Sequence, residues 1–271
     1  MVMFSSGETL PDFIGVGAQR SGTTWLYDKL KQHPEICFPK QRKEVHYFDR
    51  YYDREDRWYK SLFDHCSGKC KGEITPKYIY HKDCPKRIYK LIPDAQLILI
   101  LRNPIKRAYS QFKLSVRESG YKGSFADFLK SNPDATKRGL YCDQLNRYLN
   151  YFSRKQILTL FFSRLKKEPG NVLTEVFNFL NVDPAFEPEG LNNKENASRV
   201  PRFRKVYTGS KNVISKLYDW DLVFLVDIAK KLGLKKVFFS GSNDQSFPPL
   251  TEELKEELAD YYIDDVKKLS D

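Results

Sequence analysis

The stretch DFIGVGAQRSGTTWLYDKLKQ, residues 12–32, decides the fold. Its first part, Asp12–Ala18, is short and apolar, as expected for a strand that is buried on both faces. Its last part places Leu26 and Leu30 on one helical face, so we predict a helix over Thr23–Gln32. A strand, a glycine-rich turn and a helix in this order aim backbone N–H groups and the helix N-terminus at an anion, most often a phosphate.

The turn resembles a nucleotide-binding P-loop with one departure. It keeps the Gly-x4-Gly spacing from Gly17 to Gly22, but Thr23 stands where that motif has lysine, and Arg20 supplies a cation inside the loop. A glycine turn without a ligand is the alternative interpretation. We favour phosphate binding, and the predicted contacts are Gly17, Ala18, Gln19, Arg20, Ser21, Gly22, Thr23 and Thr24.

The same alternation of strand and helix continues outward. Gln96–Leu101 (QLILIL) is the strongest strand, and Pro104 starts a helix that we extend to Val116. The pattern predicts one α/β domain over residues 1–271, with a central parallel sheet flanked by helices. Further predicted elements are an extended segment at Glu44–Phe48, a helix at Asp143–Tyr151, a strand at Gln156–Phe162, a helix at Asn171–Leu180, an irregular stretch at 183–212 and an amphipathic packing helix at Thr251–Asp271.

Composition and charge limit the function classes. The chain has 271 residues, 46 Lys and Arg against 35 Asp and Glu, a net charge of +11, and 14% aromatic residues, which argues against disorder. The basic balance suggests an anionic partner, although solubility alone is an alternative reason for it. No apolar run is long enough to span a membrane and no signal peptide is visible, so we expect a cytoplasmic protein.

The five cysteines do not indicate a disulfide scaffold. Their number is odd and the chain is not short, so we expect a reducing compartment. Cys66 and Cys70 could pair or bind a metal. However, a Cys-x3-Cys spacing with only His65 beside it argues against zinc.

Two segments carry a family resemblance. Residues 11–36, PDFIGVGAQRSGTTWLYDKLKQHPEI, resemble the 5′-phosphosulfate-binding segment of sulfotransferases, which use 3′-phosphoadenosine 5′-phosphosulfate (PAPS). Leu97–Leu101 followed by RNPIKRAYS resembles their 3′-phosphate-binding strand and helix, and implies that Arg102 and Ser110 hold that phosphate. The resemblance extends to the closing stretch PPLTEELKEELADYYIDDVKKL and implies the P-loop-like sulfotransferase fold.

A third segment suggests a catalytic base. KEVHYFD, residues 43–49, resembles a motif of the heparan-sulfate-type and related bacterial enzymes in which the glutamate is the base, which implies that role for Glu44. In a strand Glu44 and His46 would share one face, so His46 is the predicted hydrogen-bond partner or acceptor contact. The cations Lys40, Arg42 and Lys43 should keep Glu44 ionised. A surface ion pair of Glu44 with Lys43 and a partly buried, satisfied His46 are the alternative interpretations.

Two departures from the family pattern concern cations. The resemblance assigns Arg20 to the bridging and sulfuryl oxygens, and because arginine does not give up its proton, Arg20 should stabilise charge without acting as an acid. In Gly72-Glu-Ile-Thr-Pro-Lys-Tyr78 the position before Thr-Pro is Ile74, where the family commonly has lysine. Lys77 either substitutes for that lysine or is an exposed turn residue.

Late residues complete the predicted site. Sulfotransferases close over the nucleotide with a basic loop, and Ser198 and Arg199, within the basic run Lys194–Lys205, are the candidates here. Tyr141 stands where related enzymes place a tyrosine on the nucleotide or acceptor side.

These motifs favour a PAPS-dependent sulfotransferase. It would act in line on a hydroxyl or amine acceptor, most readily a carbohydrate, release adenosine 3′,5′-bisphosphate and need no metal, nucleic-acid partner or membrane span. The oligomeric state is not indicated. A P-loop kinase or NTPase is an alternative, but the strong strand ends in Arg102-Asn103 instead of an acidic metal ligand. A non-catalytic binder of anionic polymers is the other alternative.

Overall fold

The structure is a computed structural model that describes residues 9–191, 204–220, 222, 225 and 247–270. Two compact units can be distinguished. The first comprises residues 1–103, 140–193 and 262–271, and the second comprises residues 104–139 and 194–261. A single domain over residues 1–271 therefore stays a prediction.

The first unit contains a parallel β-sheet, as predicted. Its strands are β1 (Phe13–Gly17), β2 (Ile36–Cys37), β3 (Cys70–Ile74), β4 (Gln96–Leu101) and β5 (Ile157–Phe161). They form one five-stranded sheet in the order β2-β3-β1-β4-β5, and every pairing is parallel. The central strand β1 therefore has β3 on one side and β4 on the other, so the carboxyl ends of these three strands lie together at one edge of the sheet.

Helices follow most strands. They are α1 (Thr23–Leu30), α2 (Asp56–Ser61), α3 (Cys84–Leu91), α4 (Pro104–Ser119), α5 (Phe125–Ser131), α6 (Asp134–Lys137), α7 (Tyr141–Leu149), α8 (Phe162–Lys167), α9 (Pro169–Phe179), α10 (Arg204–Asp219) and α11 (Glu252–Ser270).

Successive residues of a strand point to opposite faces of the sheet, and each face is covered by its own hydrophobic cluster. Ile14 and Leu97 join one hydrophobic cluster, which includes residues of α2, α3 and α7. Phe13 and Ile98 join the other cluster, which includes residues of α1 and α9. Full burial of each such side chain contributes about 1.5–3 kcal/mol. Continuous apolar strands such as β1 and β4 are the sequence pattern that this arrangement requires.

A glycine is required where β3 lies against β1. Gly72 pairs with Phe13 in the register of these strands. A Cβ atom on Gly72 would lie 2.1 Å from Phe13 Cζ. The close approach of the two strands therefore depends on the missing side chain.

The second unit is helical where the structure describes it. Phe112 of α4 is buried and contacts the rings of Phe125 and Phe128 from α5. The fully buried Arg107 of α4 donates to the Ala135 carbonyl of α6, so its charge is held by hydrogen bonds inside this unit.

Several predicted elements are confirmed within one or two residues, and others are wrong. Glu44–Phe48 is not a strand but a bend followed by a turn. The irregular stretch predicted for 183–212 is wrong from residue 204 onward, where α10 begins, and residues 192–203 lie outside the described residues. Two strands were not predicted: β2 has only two residues, and the apolar run of β3 is interrupted by Lys71 and Glu73. Within the described residues, no helix is long and apolar enough to cross a membrane.

The cysteine pairing differs from both alternatives for Cys66. A disulfide joins Cys66 to Cys37, with Cα atoms 5.6 Å apart, and Cys70 is a buried free thiol. The bond ties the end of β2 to the turn after α2. It also removes the cysteine argument for a reducing compartment, because disulfides persist in oxidising ones. The cytoplasmic location stays a prediction.

The predicted packing role of the last helix is confirmed for part of its length. Leu258 and Tyr262 are buried, whereas Val266, four residues further along the helix, is 43% exposed. Asp265 takes the buried position instead, because its carboxylate accepts hydrogen bonds from the backbone N–H groups of Tyr141 and Cys142 at 2.7 and 3.1 Å. An acidic residue at the N-terminal end of α7 also complements the helix dipole.

Candidate active site

The predicted phosphate loop lies between β1 and α1, at the carboxyl edge of the sheet. Gly22 has a φ of 97°, and a Cβ atom there would lie 3.0 Å from the Phe162 ring. Arg20 also has a positive φ, of 69°. Since the first N–H groups of a helix lack intrahelical partners, the start of α1 at Thr23 favours an anion. The loop therefore has the backbone form that phosphate binding needs.

Ser21 supplies an independent sign of a ligand. The residue is fully buried in the loop, and its Oγ has no hydrogen-bond partner among the described residues. Leaving a buried hydroxyl unsatisfied costs about 1–3 kcal/mol. A phosphate oxygen in the loop would satisfy this hydroxyl.

Arg102 joins the phosphate loop to the end of β4, the strand beside β1 in the sheet. It follows β4 directly, and its Nη1 donates to the Arg20 carbonyl at 2.7 Å. Its guanidinium lies 4.6 Å from the centre of the Phe162 ring, a distance typical of a cation–π contact. Two predicted donor-binding residues, Arg20 and Arg102, are thus in direct contact.

Glu44 and His46 are also in contact, although not for the predicted reason. They lie in a bend instead of a strand, and His46 has a φ of 59°. His46 Nε2 lies 3.3 Å from Glu44 Oε2, and its Nδ1 lies 3.1 Å from both carboxylate oxygens of Asp49. The imidazole therefore bridges two carboxylates, and the sequence analysis did not identify Asp49 as part of the site.

The two carboxylates determine the protonation of His46. Burial lowers the pKa of this imidazole, but the hydrogen bonds to Asp49 and Glu44 outweigh that effect and raise the pKa to about 9. His46 is consequently an imidazolium at neutral pH, with both ring nitrogens as donors. It orients the Glu44 carboxylate and is not itself available to accept a proton.

Thr75 holds the bend that carries Glu44 and His46. Its Oγ1 accepts hydrogen bonds from the N–H groups of Val45 at 3.0 Å and His46 at 3.4 Å. The same hydroxyl donates to Glu73 Oε2 at 2.7 Å. The bend therefore rests on the segment that directly follows β3.

Glu73 is the centre of a buried polar network. Its carboxylate also accepts hydrogen bonds from the hydroxyls of Tyr59 at 2.7 Å and Tyr78 at 3.2 Å. Burial raises the pKa of Glu73, the hydrogen bonds from Tyr59, Thr75 and Tyr78 lower it, and the balance lies at about 7. The sequence analysis missed Glu73 and Thr75, although both belong to the Gly72–Tyr78 motif.

A hydrogen bond joins the segment that carries Glu44 to the phosphate loop. Lys43 Nζ donates to Thr24 Oγ1 at 2.6 Å, and Lys43 lies 5.5 Å from the centre of the Tyr27 ring on the same helix. Glu44 is the next residue along the chain. The candidate base is therefore fixed beside the first turn of α1.

An arginine–aromatic cluster lies on the chain around the bend. The guanidinium carbon of Arg42 is 5.2 Å from the Tyr51 ring centre and 5.1 Å from that of Trp58. Arg54 is 4.5 Å from the same Trp58 ring. These contacts orient cations on the segment that carries Glu44.

The roles of the remaining predicted site residues stay predictions. Tyr141 is 2% exposed within the core cluster, and Lys77 is exposed while Ile74 is buried. Ser110 lies on α4 of the second unit, so its role stays a prediction. Ser198 and Arg199 lie outside the described residues.

Comparisons with known proteins show which family the chain matches. The family model of the sulfotransferase domain matches residues 10–216. The chain is 30% identical over 181 residues to human heparan sulfate glucosamine 3-O-sulfotransferase 6, a match that covers 64% of this chain and 52% of that protein. It is 33% identical over 201 residues to human bifunctional heparan sulfate N-deacetylase/N-sulfotransferase 3, covering 66% of this chain and 23% of that protein.

The fold is similar to that of solved proteins. The crystal structure of a sulfotransferase from Alicyclobacillus acidocaldarius superimposes with a TM-score of 0.68 and 24% identity, covering 96% of this chain and 94% of that one. The chain spans about half the length of the 3-O-sulfotransferase relatives that it matches.

Proposed function

Because this chain belongs to the sulfotransferase domain family, we propose that it transfers a sulfuryl group from PAPS to a hydroxyl or amine of an acceptor, with Glu44 as general base. The hydrogen bond between Lys43 and Thr24 is the observation that carries the proposal. In-line transfer requires the base and the donor's sulfuryl group to lie on opposite sides of the acceptor atom and close to it. This contact fixes the Glu44 segment to the loop that would hold the donor.

The loop residues fit a phosphosulfate donor. The N–H groups at the start of α1 and the hydroxyls of Ser21, Thr23 and Thr24 would surround the 5′-phosphate, and the unsatisfied Ser21 Oγ supports this assignment. Arg20 would lie on the bridging and sulfuryl oxygens. We assign Arg102 and Ser110 to the 3′-phosphate, and Ser198 and Arg199 to a covering loop.

Glu44 would remove the acceptor proton as the new S–O or S–N bond forms. The protonated His46, held by Asp49, donates to Glu44 Oε2 and stabilises the ionised carboxylate before transfer. Arg20 retains its proton, so the charge that develops on the leaving bisphosphate is stabilised electrostatically. None of these roles requires a metal.

Heparan sulfate relatives and local charge support an anionic glycan as acceptor. The matched relatives are named for heparan sulfate, and the chain carries a net charge of +11. Arg54, on the same stretch of chain as Glu44, has a guanidinium group oriented by stacking on Trp58, which suits it to sulfate or carboxylate groups of a sugar chain.

Donor binding and transfer can be tested separately. Adenosine 3′,5′-bisphosphate should raise the melting temperature of the wild type and of Glu44→Gln alike, because ligand binding stabilises the folded state by mass action. Transfer of labelled sulfate from PAPS to heparan-type oligosaccharides should fall about 10²–10⁴-fold in Glu44→Gln.

Glu55→Gln is the matched control, because Glu55 is an exposed glutamate on the same stretch of chain. It should retain wild-type transfer. No stabilisation by the bisphosphate would contradict the donor assignment, and wild-type turnover by Glu44→Gln would contradict the base assignment.

A further inference from the structure

Cys37, His65 and Cys66 form a compact cluster outside the candidate active site. Cys37 ends β2, and the other two residues lie in the turn after α2. The sulfur atoms are joined as a disulfide, and His65 Nε2 lies 3.6 Å from Cys37 Sγ and 3.5 Å from Cys66 Sγ. Two sulfurs and one imidazole thus converge, and they share no residue with the proposed transfer site.

The imidazole is placed as a zinc ligand would be. Tetrahedral zinc has Zn–S distances of about 2.3 Å and Zn–N distances of about 2.0–2.1 Å, which separate a sulfur and a nitrogen ligand by ~3.5 Å. Both S···N distances in the cluster have this value. Only the two sulfurs would need to move, from bonding distance to a separation of about 3.8 Å.

A fourth ligand position is also present. The Phe38 carbonyl oxygen lies 3.3 Å from His65 Nε2 and 3.9 Å from Cys37 Sγ. His65 is exposed, so solvent and metal can reach the imidazole. The fourth position can therefore be filled by this carbonyl or by a water molecule.

Two of the free cysteines among the described residues are less suited to bind a metal. Cys70 and Cys84 are fully buried, and burial raises the pKa of both thiols, which disfavours the thiolate that zinc requires. Cys37, by contrast, is partly exposed and has an imidazole beside it.

We propose that Cys37, His65 and Cys66 form a zinc-binding site when their disulfide is reduced. A dithiol reductant supplies two electrons and two protons to the S–S bond and becomes a disulfide itself. Zinc then binds both sulfurs as thiolates and the Nε2 lone pair of His65, and the two thiol protons pass to solvent.

Disulfide and zinc would serve the same structural purpose. Either one links the end of β2 to the turn after α2, and β2 leads directly into the segment that carries Glu44. The site is therefore a structural crosslink with an oxidised and a metal-bound form, and it makes no contact with the transferred group.

Metal content and spectroscopy test the site without any activity assay. The full chain is reduced with a phosphine, exchanged into zinc or cobalt(II) without oxygen, freed of excess metal and analysed. We expect one metal ion per reduced chain, none per oxidised chain, and a thiolate-to-cobalt charge-transfer band with the strong visible absorption of tetrahedral cobalt.

Variants separate this site from other thiols and histidines. His65→Ala should weaken zinc binding by at least about tenfold, because even the loss of a residue that hydrogen-bonds to a zinc ligand has an effect of this size. His65 is exposed, so the substitution should not disturb folding. Cys66→Ser should remove the charge-transfer intensity of one thiolate. Cys142→Ser and His81→Ala are matched controls and should bind as the wild type does. Zinc-free reduced protein, or wild-type binding by His65→Ala, would overturn the proposal.

Discussion

Replacing Thr75 by valine should remove the hydrogen bonds that hold the bend carrying Glu44, while nearly preserving the shape of the side chain. Thr75 is fully buried, and its hydroxyl accepts the Val45 N–H and donates to Glu73. Valine leaves a buried N–H without its acceptor, at a cost of about 1–3 kcal/mol, and removes a hydrogen bond to a carboxyl group. We expect the free energy of unfolding to fall by ~3 kcal/mol.

Urea denaturation measures that loss, and Thr75→Ser tests its cause. Serine keeps the hydroxyl and should lose only about 1 kcal/mol, the value of one buried methyl group. Thr159→Val, on the edge strand β5, is the control for the effect of a threonine-to-valine substitution away from the bend. If Thr75→Val were as stable as Thr75→Ser, the assigned hydrogen bonds would not support the bend.

The same variants test the function of the bend. A displacement of about 1 Å at a reacting group can cost 10²-fold in rate. Thr75→Val should therefore lower kcat for sulfuryl transfer by roughly 10–100-fold while leaving the affinity for adenosine 3′,5′-bisphosphate unchanged. Unaltered turnover in a measurably destabilised Thr75→Val would show that the bend does not position the base.

Four further outcomes are expected. Arg102→Ala should weaken binding of adenosine 3′,5′-bisphosphate by calorimetry about 10–100-fold, the value of a charge-assisted hydrogen bond; equal affinity would remove Arg102 from the site. Gly72→Ala should lower the free energy of unfolding, measured by urea denaturation, by about 1–3 kcal/mol, because its Cβ would overlap the Phe13 ring. Asp265→Asn should lower the free energy of unfolding by about 1 kcal/mol, since its carboxylate caps α7. An unchanged stability of Gly72→Ala would contradict the close packing against Phe13, and an unchanged stability of Asp265→Asn would contradict the cap. His46 has a pKa of about 9 in the folded chain, above its ordinary 6.5, so its stabilisation is complete below pH ~6.5 and is lost as pH rises through about 9. His46→Gln should therefore lie below the wild type by up to ~3 kcal/mol at pH 6 and converge with it by pH 10, and parallel curves would contradict the bridged imidazolium.

Short-range sequence patterns were sufficient to predict the strands β1 and β4 and the turn between β1 and α1. The apolar runs of β1 and β4 indicate strands buried on both faces, and the glycines and hydroxyls between β1 and α1 indicate an anion loop. The strand CKGEI did not read as buried, because Lys71 and Glu73 interrupt it. Glu73 is accommodated there because the hydroxyls of Tyr59, Thr75 and Tyr78 donate hydrogen bonds to its carboxylate.

The candidate site shows the same division. Glu44 and His46 were found by resemblance, but the predicted strand geometry was wrong, because nothing in the sequence reveals the positive φ of His46. The pairing of Cys37 with Cys66 spans 29 residues and could not be chosen from five cysteines. Asp265 was not singled out in the last helix, because the sequence does not reveal that the backbone N–H groups of Tyr141 and Cys142 bind its carboxylate.

The central position of β1 has a consequence for synthesis. Phe13–Gly17 leaves the ribosome well before its two neighbours, Cys70–Ile74 and Gln96–Leu101. Until Ile74 has emerged, the nascent chain carries an apolar strand with both edges open, and the edge that pairs with β4 stays open until Leu101 has emerged. Such an open edge is a template for aggregation. Parallel pairing between such distant segments also folds slowly. The strand that leads into the predicted phosphate loop is thus a segment that needs protection while the protein is made.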